Sequence, residues 1–312
     1  MMPGWADWLR PADGRYTRLG PMSPRELTAP LPTERLRLGE LGLCTIDAGP
    51  RDAGTPLLFV HGLSAWMQFW KHQLPALSAD HRVLALDLPG FGASDSPDAP
   101  YTPPWFADVL RRLLDAKGID RVDLVGHSMG GQIGLQLALD CPDRVRRLAL
   151  VAPAGLETFN PAAVAMMKAF WTEGRAAATP EAEVRRNMVS AVFARTDDDV
   201  ERLIEERVRI GQHPRFRLTS RAVARSIHGM LDHPLRHRLG EISAPVLLAV
   251  GGRDALIPNR LFSQTSLRAL VDDAVRDLPR AEVVWLDDAG HTAHHDMPAA
   301  FNRALRRFVE TP

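Results

Sequence analysis

Short apolar runs alternate with amphipathic segments along most of this chain. The runs are almost continuous in Val, Leu, Ile and Ala and end in turn residues, which is typical of strands buried on both faces of a parallel sheet. The predicted strands are a pair within 35–49, then 55–62, 81–90, 122–126, 145–153, 244–252 and 281–290. The predicted helices, which have apolar residues at helical spacing, are 65–79, 104–117, 129–140, 260–276 and 298–309. This alternation predicts an α/β fold with a mostly parallel central sheet flanked by helices.

One interval breaks the alternation, between the strand that ends near Val151 and the strand that begins near Pro245. It is too long for a plain loop, and parts of it have the apolar spacing of helices. The predicted helices are 161–171, 181–194 and 197–210, with Asn160, Thr179 and Thr196 as their N-terminal caps. We therefore expect a helical cap inserted at about 154–242. The α/β domain is expected to span 34–312, and the proline-rich residues 1–33 to form an irregular N-terminal extension.

Composition places the chain among ordinary globular proteins and excludes several function classes. Hydrophobic residues make up 45% of the 312 residues, and charged residues make up 24%. The 38 basic and 38 acidic residues cancel, so nothing favours a nucleic-acid partner. The two cysteines, Cys44 and Cys141, form neither a metal-binding nor a disulfide pattern.

Hydropathy bears on location. No stretch has the apolar length of a membrane span or the apolar core of a signal peptide, so we expect a cytoplasmic protein. Trp5 and Trp8 could share one face of a helical turn, but a single turn is too small for a stable membrane anchor. The oligomeric state is left open.

The stretch DLVGHSMGGQ, at 123–132, supplies the first candidate for catalysis. Ser128 lies between Gly126 and Gly130 just after an apolar run, and two glycines allow a turn too tight for other side chains. A serine on such a turn is exposed at the carboxyl end of a buried strand, where open α/β sheets bind ligands. The helix that begins near Met129 would direct its first amides at the same place. A strand, G-x-S-x-G and a helix in this order are typical of a serine nucleophile.

A serine hydroxyl is a weak nucleophile unless a histidine, oriented by an acid, removes its proton. Asp254 and His291 each follow a predicted strand. Because the carboxyl ends of parallel strands meet at one edge of a sheet, both side chains are expected to lie near Ser128. Glu157, which follows an earlier strand, is a rival candidate for the acid.

The backbone amides of Leu63 and Met129 are the candidates for the oxyanion hole, the pair of donors that stabilises the negative oxygen of a tetrahedral intermediate. Leu63 follows His61-Gly62 at the end of a predicted strand, and the glycine permits a close approach of the backbone. Two apolar groups are candidates for substrate contacts, one after this loop and one on the predicted cap. They are Trp66, Phe69 and Trp70, and Met167, Phe170 and Trp171. If both groups face the serine, the pocket is apolar and takes small to medium substrates.

Together these segments resemble those of cap-bearing α/β-hydrolases of the esterase type. The matching segments are His61-Gly62, DLPGFGASD (87–95), GHSMGG (126–131), GGRDALIP (251–258) and AGH (289–291). The order Ser, Asp, His along the chain is also that of this family. The resemblance implies the α/β-hydrolase fold and cleavage of a small-molecule ester through an acyl-enzyme, with no metal and no other cofactor.

Other activities stay open on the same residues. Dehalogenases and epoxide hydrolases of this family carry an aspartate where this chain has Ser128, which argues against both. Carbon–carbon bond hydrolases of aromatic ring-cleavage products keep the serine, aspartate and histidine. They usually have a longer Gly-rich oxyanion loop and a tryptophan after the histidine, and HGLSAW and GHTAHH depart from both. Thioesters and lactones pass through similar intermediates, and a non-catalytic ligand-binding protein is the alternative of another class.

Two further clusters have a structural and a functional interpretation. His291, His294 and His295 have spacings that a metal site could use, but we favour the start of a helix near Pro298 and no metal. The segment 207–238 carries a run of arginines that begins with Arg207. We expect these arginines to form a solvated face rather than a site for an anionic substrate.

Overall fold

An eight-stranded sheet forms the centre of the fold, in a computed structural model that describes residues 20–311. Its strands are β1 (Glu34–Leu38), β2 (Leu41–Ala48), β3 (Leu57–Val60), β4 (Val83–Leu86), β5 (Val122–His127), β6 (Val145–Val151), β7 (Val246–Gly251) and β8 (Ala281–Leu286). Their order across the sheet is β1-β2-β4-β3-β5-β6-β7-β8. Strand β2 is antiparallel to β1 and β4, and all other neighbours are parallel. The prediction of an α/β fold with a mostly parallel sheet is confirmed.

Helices cover both faces of this sheet. The α-helices of the described residues, which include those of the segment between β6 and β7, are α1 (Leu74–Leu77), α2 (Pro103–Ala116), α3 (Met129–Asp140), α4 (Pro161–Phe170), α5 (Glu173–Ala177), α6 (Glu181–Asn187), α7 (Asp198–Gly211), α8 (Phe216–Asp232), α9 (Leu267–Asp277), α10 (Ala293–Asp296) and α11 (Pro298–Glu310). Alternate side chains of β3 point to opposite faces of the sheet. Leu58 and Val60 pack in the hydrophobic cluster that contains α2, α3 and α9. Leu57 and Phe59 pack in the cluster that contains α1 and α11. Because all four are buried, β3 has the continuous apolar run of an internal parallel strand.

The chain between β6 and β7 is helical and contains α4 to α8. The predicted helices 161–171 and 197–210 correspond to α4 and α7, and 181–194 corresponds to α6 followed by a π-helical turn, Met188–Val192. Helix α8, within the arginine-rich segment, was not predicted. The limits proposed for the cap and for the α/β domain stay predictions.

Two predicted helices of the main domain are wrong in their extent. The segment 65–79 contains a 3₁₀ helix (Met67–Trp70) and the short α1 instead of one long helix. Pro75 cannot donate the backbone hydrogen bond that a continuous helix would need at this point. The segment 260–276 is helical only from Leu267, where the hydroxyl of Ser266 caps α9.

Residues 20–33 contact both the helical segment and the main domain, where Leu31 packs against the core cluster of α1 and α11. The amide of Met22 donates to the carbonyl oxygen of Arg209 in α7 (3.1 Å), and Thr28 Oγ1 donates to Glu206 Oε1 (2.9 Å). The rest of the predicted extension, with Trp5 and Trp8, lies outside the described residues. Within 20–311, no helix has the length and apolar character needed to cross a membrane.

Candidate active site

Ser128 lies on a sharp turn between β5 and α3, in a conformation that serine rarely adopts. Its φ is +53° and its ψ is −117°. The Ser128 amide donates to the carbonyl oxygen of Val151 (3.0 Å), and the Ser128 carbonyl accepts from the amides of Gly131 (2.9 Å) and Ala154 (3.0 Å). A backbone of this kind costs about 1–3 kcal/mol and is typical of sites where function fixes the geometry. The half-buried side chain lies on the wall of an internal cavity.

The turn depends on glycines at points where chains touch. A Cβ atom on Gly126 would lie 2.6 Å from the carbonyl oxygen of Gly130, and one on Gly130 would lie 2.3 Å from that of Val60. A Cβ atom on Gly62 would lie 3.2 Å from Ser128 Cβ. The loop after β3 and the turn after β5 therefore approach each other more closely than alanines would allow.

His291 and Asp254 form a buried hydrogen-bonded pair. His291 Nδ1 lies 2.9 Å from Asp254 Oδ2, and the two residues are 4% and 3% exposed. The other carboxylate oxygen accepts from the amides of Leu256 (2.8 Å) and Ile257 (3.0 Å). Because the proton on Nδ1 serves Asp254, Nε2 is the acceptor of the neutral ring. His291 lines the same cavity as Ser128.

Two other side chains hold the loop that carries His291. His127 Nε2 lies 3.1 Å from the carbonyl oxygen of His291, and the two rings are 4.8 Å apart. Burial and the neighbouring histidines hold the pKa of His127 well below its usual value, so the neutral ring donates to this carbonyl. Asp296 accepts from the amides of Gly290 (2.8 Å) and Ala194 (3.0 Å), which links the loop to the chain between α6 and α7.

The two candidate oxyanion donors lie at the ends of adjacent strands. Leu63 lines the cavity, and Met129 is the first residue of α3, so its amide has no acceptor within the helix. His61 fixes the loop before Leu63, because its Nδ1 donates to the carbonyl of Gly62 (2.8 Å) and its Nε2 accepts from the amide of Leu88 (2.9 Å). Burial lowers the pKa of His61 to about 4, which keeps the ring in the neutral form that this pairing requires.

Asp87 also supports the loop that carries the candidate oxyanion donor Leu63, although this role was not predicted. Its carboxylate accepts from the amide of Met67, after this loop, and from the amide of Ala93, both at 2.8 Å. Burial raises the pKa of Asp87 to about 6. The segment 87–95 was part of the resemblance, but spacing alone did not indicate which loops its carboxylate joins.

The cavity has two lobes that meet at the serine. Both lobes share Leu63, Ser128, Trp171, Ile227, Leu256 and His291. The first, called the arginine lobe, has a volume of about 270 Å³, and its other walls include Phe69, Val184, Met188, Val192, Arg207 and Val223. The second, called the glutamate lobe, has a volume of about 310 Å³, and its other walls include Gln132, Glu157, Phe159, Met167, Met230 and Asn259. Both lobes are mostly apolar, and each contains one charged wall residue.

The structure places only half of the predicted substrate-binding side chains on these walls. Phe69 lies on the arginine lobe, Met167 on the glutamate lobe, and Trp171 on both. The other three, Trp66, Trp70 and Phe170, line neither lobe, so the structure does not bring them to the candidate site.

Each of these three side chains packs elsewhere for a clear reason. Trp66 is buried against Phe69 in the hydrophobic cluster that includes α7. Trp70 turns to the opposite core layer, where its ring packs on that of His294 at 4.2 Å. Phe170 is 51% exposed, and the guanidinium of Arg175 covers its ring at 4.6 Å.

The two charged wall residues have no partner of opposite charge within residues 20–311. Arg207 stacks on the ring of Phe216 at 4.8 Å, and burial lowers its pKa to about 10, which still leaves it charged at neutral pH. Glu157 accepts from the amide of Asn259 (2.8 Å) and makes no hydrogen bond with His291, so the structure pairs the histidine with Asp254 and not with this rival acid. Arg207 is also an exception to the predicted solvated face, since Arg225 and Arg238 in the same segment pair with exposed carboxylates.

Several known proteins that are similar to this chain are named as hydrolases. The model of the alpha/beta hydrolase fold family matches residues 55–298. A protein of Azorhizobium caulinodans named "Putative carbamate hydrolase RutD" is 33% identical over 260 residues, which cover 82% of this chain and 91% of the relative. The 2-hydroxy-6-oxononadienedioate/2-hydroxy-6-oxononatrienedioate hydrolase of Klebsiella pneumoniae is 29% identical over 254 residues, which cover 80% of this chain and 83% of the relative. Among solved structures, a probable hydrolytic enzyme of Pseudomonas aeruginosa PAO1 has a TM-score of 0.83 at 26% identity and covers 94% of this chain and 99% of its own.

Proposed function

This chain belongs to the alpha/beta hydrolase fold family, and within that family we propose that it is a serine hydrolase that cleaves carboxylic esters. One observation carries the proposal. The strained, cavity-lining Ser128 shares its cavity with His291, whose Nδ1 is held 2.9 Å from the buried carboxylate of Asp254. A serine, a histidine with a free Nε2 and an acid that fixes the ring are the parts that nucleophilic acyl transfer needs.

The proposed reaction has two halves. Ser128 Oγ attacks the ester carbonyl while His291 Nε2 takes the hydroxyl proton, and Asp254 stabilises the imidazolium that results. The amides of Leu63 and Met129 donate to the oxyanion, and the positive end of α3 adds to this field. Collapse of the intermediate releases the alcohol, which receives the proton from His291. Water then repeats the steps on the acyl-enzyme and frees the acid.

The shape of the cavity favours an ester with an apolar group on each side of the reacting carbon. Because the lobes meet at Ser128, one can receive the acyl chain and the other the alcohol. Their volumes, about 270 and 310 Å³, suit groups of small to medium size. Methionines in both lobes allow the walls to adapt to several chains.

A second candidate activity is supported by Arg207. A charged guanidinium on a cavity wall, without a carboxylate partner in the described chain, suits a substrate that brings its own carboxylate. The Klebsiella relative is named for dioate substrates, and dioates carry two carboxylates. Hydrolysis of the carbon–carbon bond of a carboxylated ring-cleavage product is therefore the alternative to ester hydrolysis, with the same three residues.

A substrate panel combined with covalent labelling tests the proposal. We expect p-nitrophenyl acetate, butyrate, hexanoate and octanoate to be hydrolysed, with kcat/KM rising up to about fourfold per methylene until a lobe is full. A fluorophosphonate probe should label Ser128, and Ser128→Ala should abolish both labelling and hydrolysis. A folded protein that neither labels nor cleaves any ester, thioester or lactone would support ligand binding instead. Rapid consumption of an extradiol ring-cleavage product of catechol, with slow ester hydrolysis, would favour the second candidate.

A further inference from the structure

The glutamate lobe contains a carboxylate that has no cationic partner among residues 20–311. Glu157 Oε1 accepts from the amide of Asn259 at 2.8 Å, and no other hydrogen bond to this carboxylate is made by residues 20–311. The nearest charge that acts on it is Asp254, which has the same sign. Other enclosed carboxylates have more partners: Asp47 and Asp123 pair with arginines, and Asp87 and Asp296 each accept from two backbone amides. A carboxylate held out of bulk water without a partner is costly, and a bound cation would offset that cost.

The hydrogen bond from the amide of Asn259 does not explain why residue 157 is charged. The amide of Asn259 needs one oxygen acceptor, which a glutamine would supply equally well. Burial, together with the charge of Asp254, raises the pKa of Glu157 to about 6, so the group is ionised at pH 8. The second oxygen is therefore available to a ligand in the lobe at that pH.

The other walls of the lobe suit an alkylammonium group. Phe159 and Trp171 are aromatic residues of its wall, and aromatic rings attract cations through the ring quadrupole. Met167 and Met230 offer polarisable sulfur to the carbon atoms around a quaternary nitrogen. An aromatic wall beside a carboxylate combines the two ways in which proteins recognise such cations.

We infer that the glutamate lobe binds the half of the substrate that carries a cationic ammonium group, and that Glu157 recognises this group. The inference rests on the ester hydrolysis proposed above and names the class of ester. Arg207 in the other lobe would repel the same cation, so the charge also sets which half of the substrate enters which lobe.

Matched pairs of esters that differ only in one charge provide the test. Butyrylcholine is compared with 3,3-dimethylbutyl butyrate, and p-nitrophenyl 4-(trimethylammonio)butanoate with p-nitrophenyl 5,5-dimethylhexanoate. In each pair a quaternary nitrogen replaces a carbon of the same shape. The measured quantity is the kcat/KM of the cationic ester divided by that of its neutral counterpart, at pH 8, for the full chain. We expect a ratio of about ten or more in one of the two series, because a quaternary ammonium group, which has no hydrogen to donate, gains ion pairing with the carboxylate and cation–π attraction in a partly desolvated site.

Two variants identify the residue responsible. Glu157→Gln keeps the acceptor for Asn259 and should bring the ratio close to one, whereas Asp288→Asn, which removes an exposed carboxylate outside the cavity, should leave it as in the wild type. At pH 5 the wild-type ratio should also fall toward one. A change of pH that alters the catalytic steps themselves acts on both esters of a pair, so it cancels in the ratio. A ratio at or below one in both series, or one that Glu157→Gln does not change, overturns the inference. Neutral esters that are not cleaved at all instead contradict the proposed function.

Discussion

Replacing Asp254 by asparagine tests the proposed catalytic arrangement at its most defined hydrogen bond. One carboxylate oxygen accepts from the amides of Leu256 and Ile257 at 2.8 and 3.0 Å. In Asp254→Asn the side-chain oxygen must stay at the position that faces these two amides, because an NH₂ group cannot accept hydrogen bonds from them. The NH₂ group then points at His291 Nδ1, which has to become the acceptor. The ring proton moves to Nε2, which can no longer take the proton of Ser128.

The expected loss follows from this change of tautomer. In a serine protease the same substitution leaves the geometry intact and lowers kcat about 10⁴-fold, which is about 5 kcal/mol of transition-state stabilisation. The assay is hydrolysis of p-nitrophenyl butyrate, with thermal unfolding measured in parallel to show that the variant is folded. Asp288→Asn, which changes an exposed carboxylate that pairs with Arg253, is the matched control and should keep its activity. A folded Asp254→Asn variant with more than about a tenth of wild-type kcat would refute the assigned role.

Three other predictions concern the loop after β3, the wall of the arginine lobe and the stability of the protein at acid pH. Gly62→Ala would place a Cβ atom 2.9 Å from His127 Nδ1 and 3.2 Å from Ser128 Cβ. Because this displaces the loop beside Ser128, kcat should fall by about 10²-fold, with a smaller change in KM. An unchanged kcat would show that the loop can shift freely. Arg207→Gln should lower kcat/KM about tenfold or more for an ester that ends in a carboxylate but not for its methyl ester, and an equal loss for both would argue against anion recognition. Burial lowers the pKa of His295 to about 4. Between about pH 6.5 and pH 4, this histidine is therefore protonated in the unfolded chain and neutral in the folded chain. Stability is therefore lost as the pH falls from 6.5 toward 4, and His295→Leu should reduce the difference in unfolding free energy between pH 7.5 and pH 5 by about 2 kcal/mol; denaturant titrations at both pH values that show no reduction would contradict this sign.

Local sequence predicts those parts of the site that follow from strand ends and turns. The placement of Ser128, Asp254 and His291 after buried strands was sufficient to expect them on one sheet edge, and the structure gives Asp254 and His291 a direct hydrogen bond. The cap residues show how far local chemistry reaches. Asn160 caps α4 as predicted, with its side chain accepting from Ala163 N, whereas the predicted caps Thr179 and Thr196 are each one residue too early. A capping side chain can be recognised from its type, but its register is fixed only by the fold.

The aromatic segment after the oxyanion loop shows where local sequence is insufficient. Trp66, Phe69 and Trp70 are all apolar, so their spacing is compatible with a helix, a turn or a pocket wall. The structure sends Trp70 into one core layer and Trp66 into the cluster with α7, and leaves only Phe69 on the cavity. Which of these places a ring occupies depends on neighbours far along the chain, and no pattern within the segment contains that information.

Arg207 is different, because its sequence carries a signal that was available. It lies three residues after Ile204 and four after Leu203, and directly before Val208, so it is on the apolar stripe of α7. A charge on an apolar stripe has to be matched by a partner or by a ligand. For the other arginines of 207–238, which lie off such a stripe or beside a carboxylate, a solvated face was the better expectation. Its position on the apolar stripe of its own helix distinguishes Arg207 from the other arginines of this segment.

The charges of the two lobes bear on orientation as well as affinity. Apolar walls alone discriminate weakly, since a methylene more or less changes binding by about 1–3 kcal/mol, and an apolar ester could lie in either direction across Ser128. On the two proposals above, Arg207 attracts a carboxylate and repels an ammonium group, and Glu157 does the reverse, so each lobe both accepts one half and rejects the other. An ester that carries both charges should therefore be cleaved much faster than the ester in which the charged groups of the acid and the alcohol are exchanged. The kcat/KM ratio of that pair should fall in Arg207→Gln and in Glu157→Gln and should approach one in the double variant. A ratio near one in the wild type would mean that the two charges do not act on the same bound substrate.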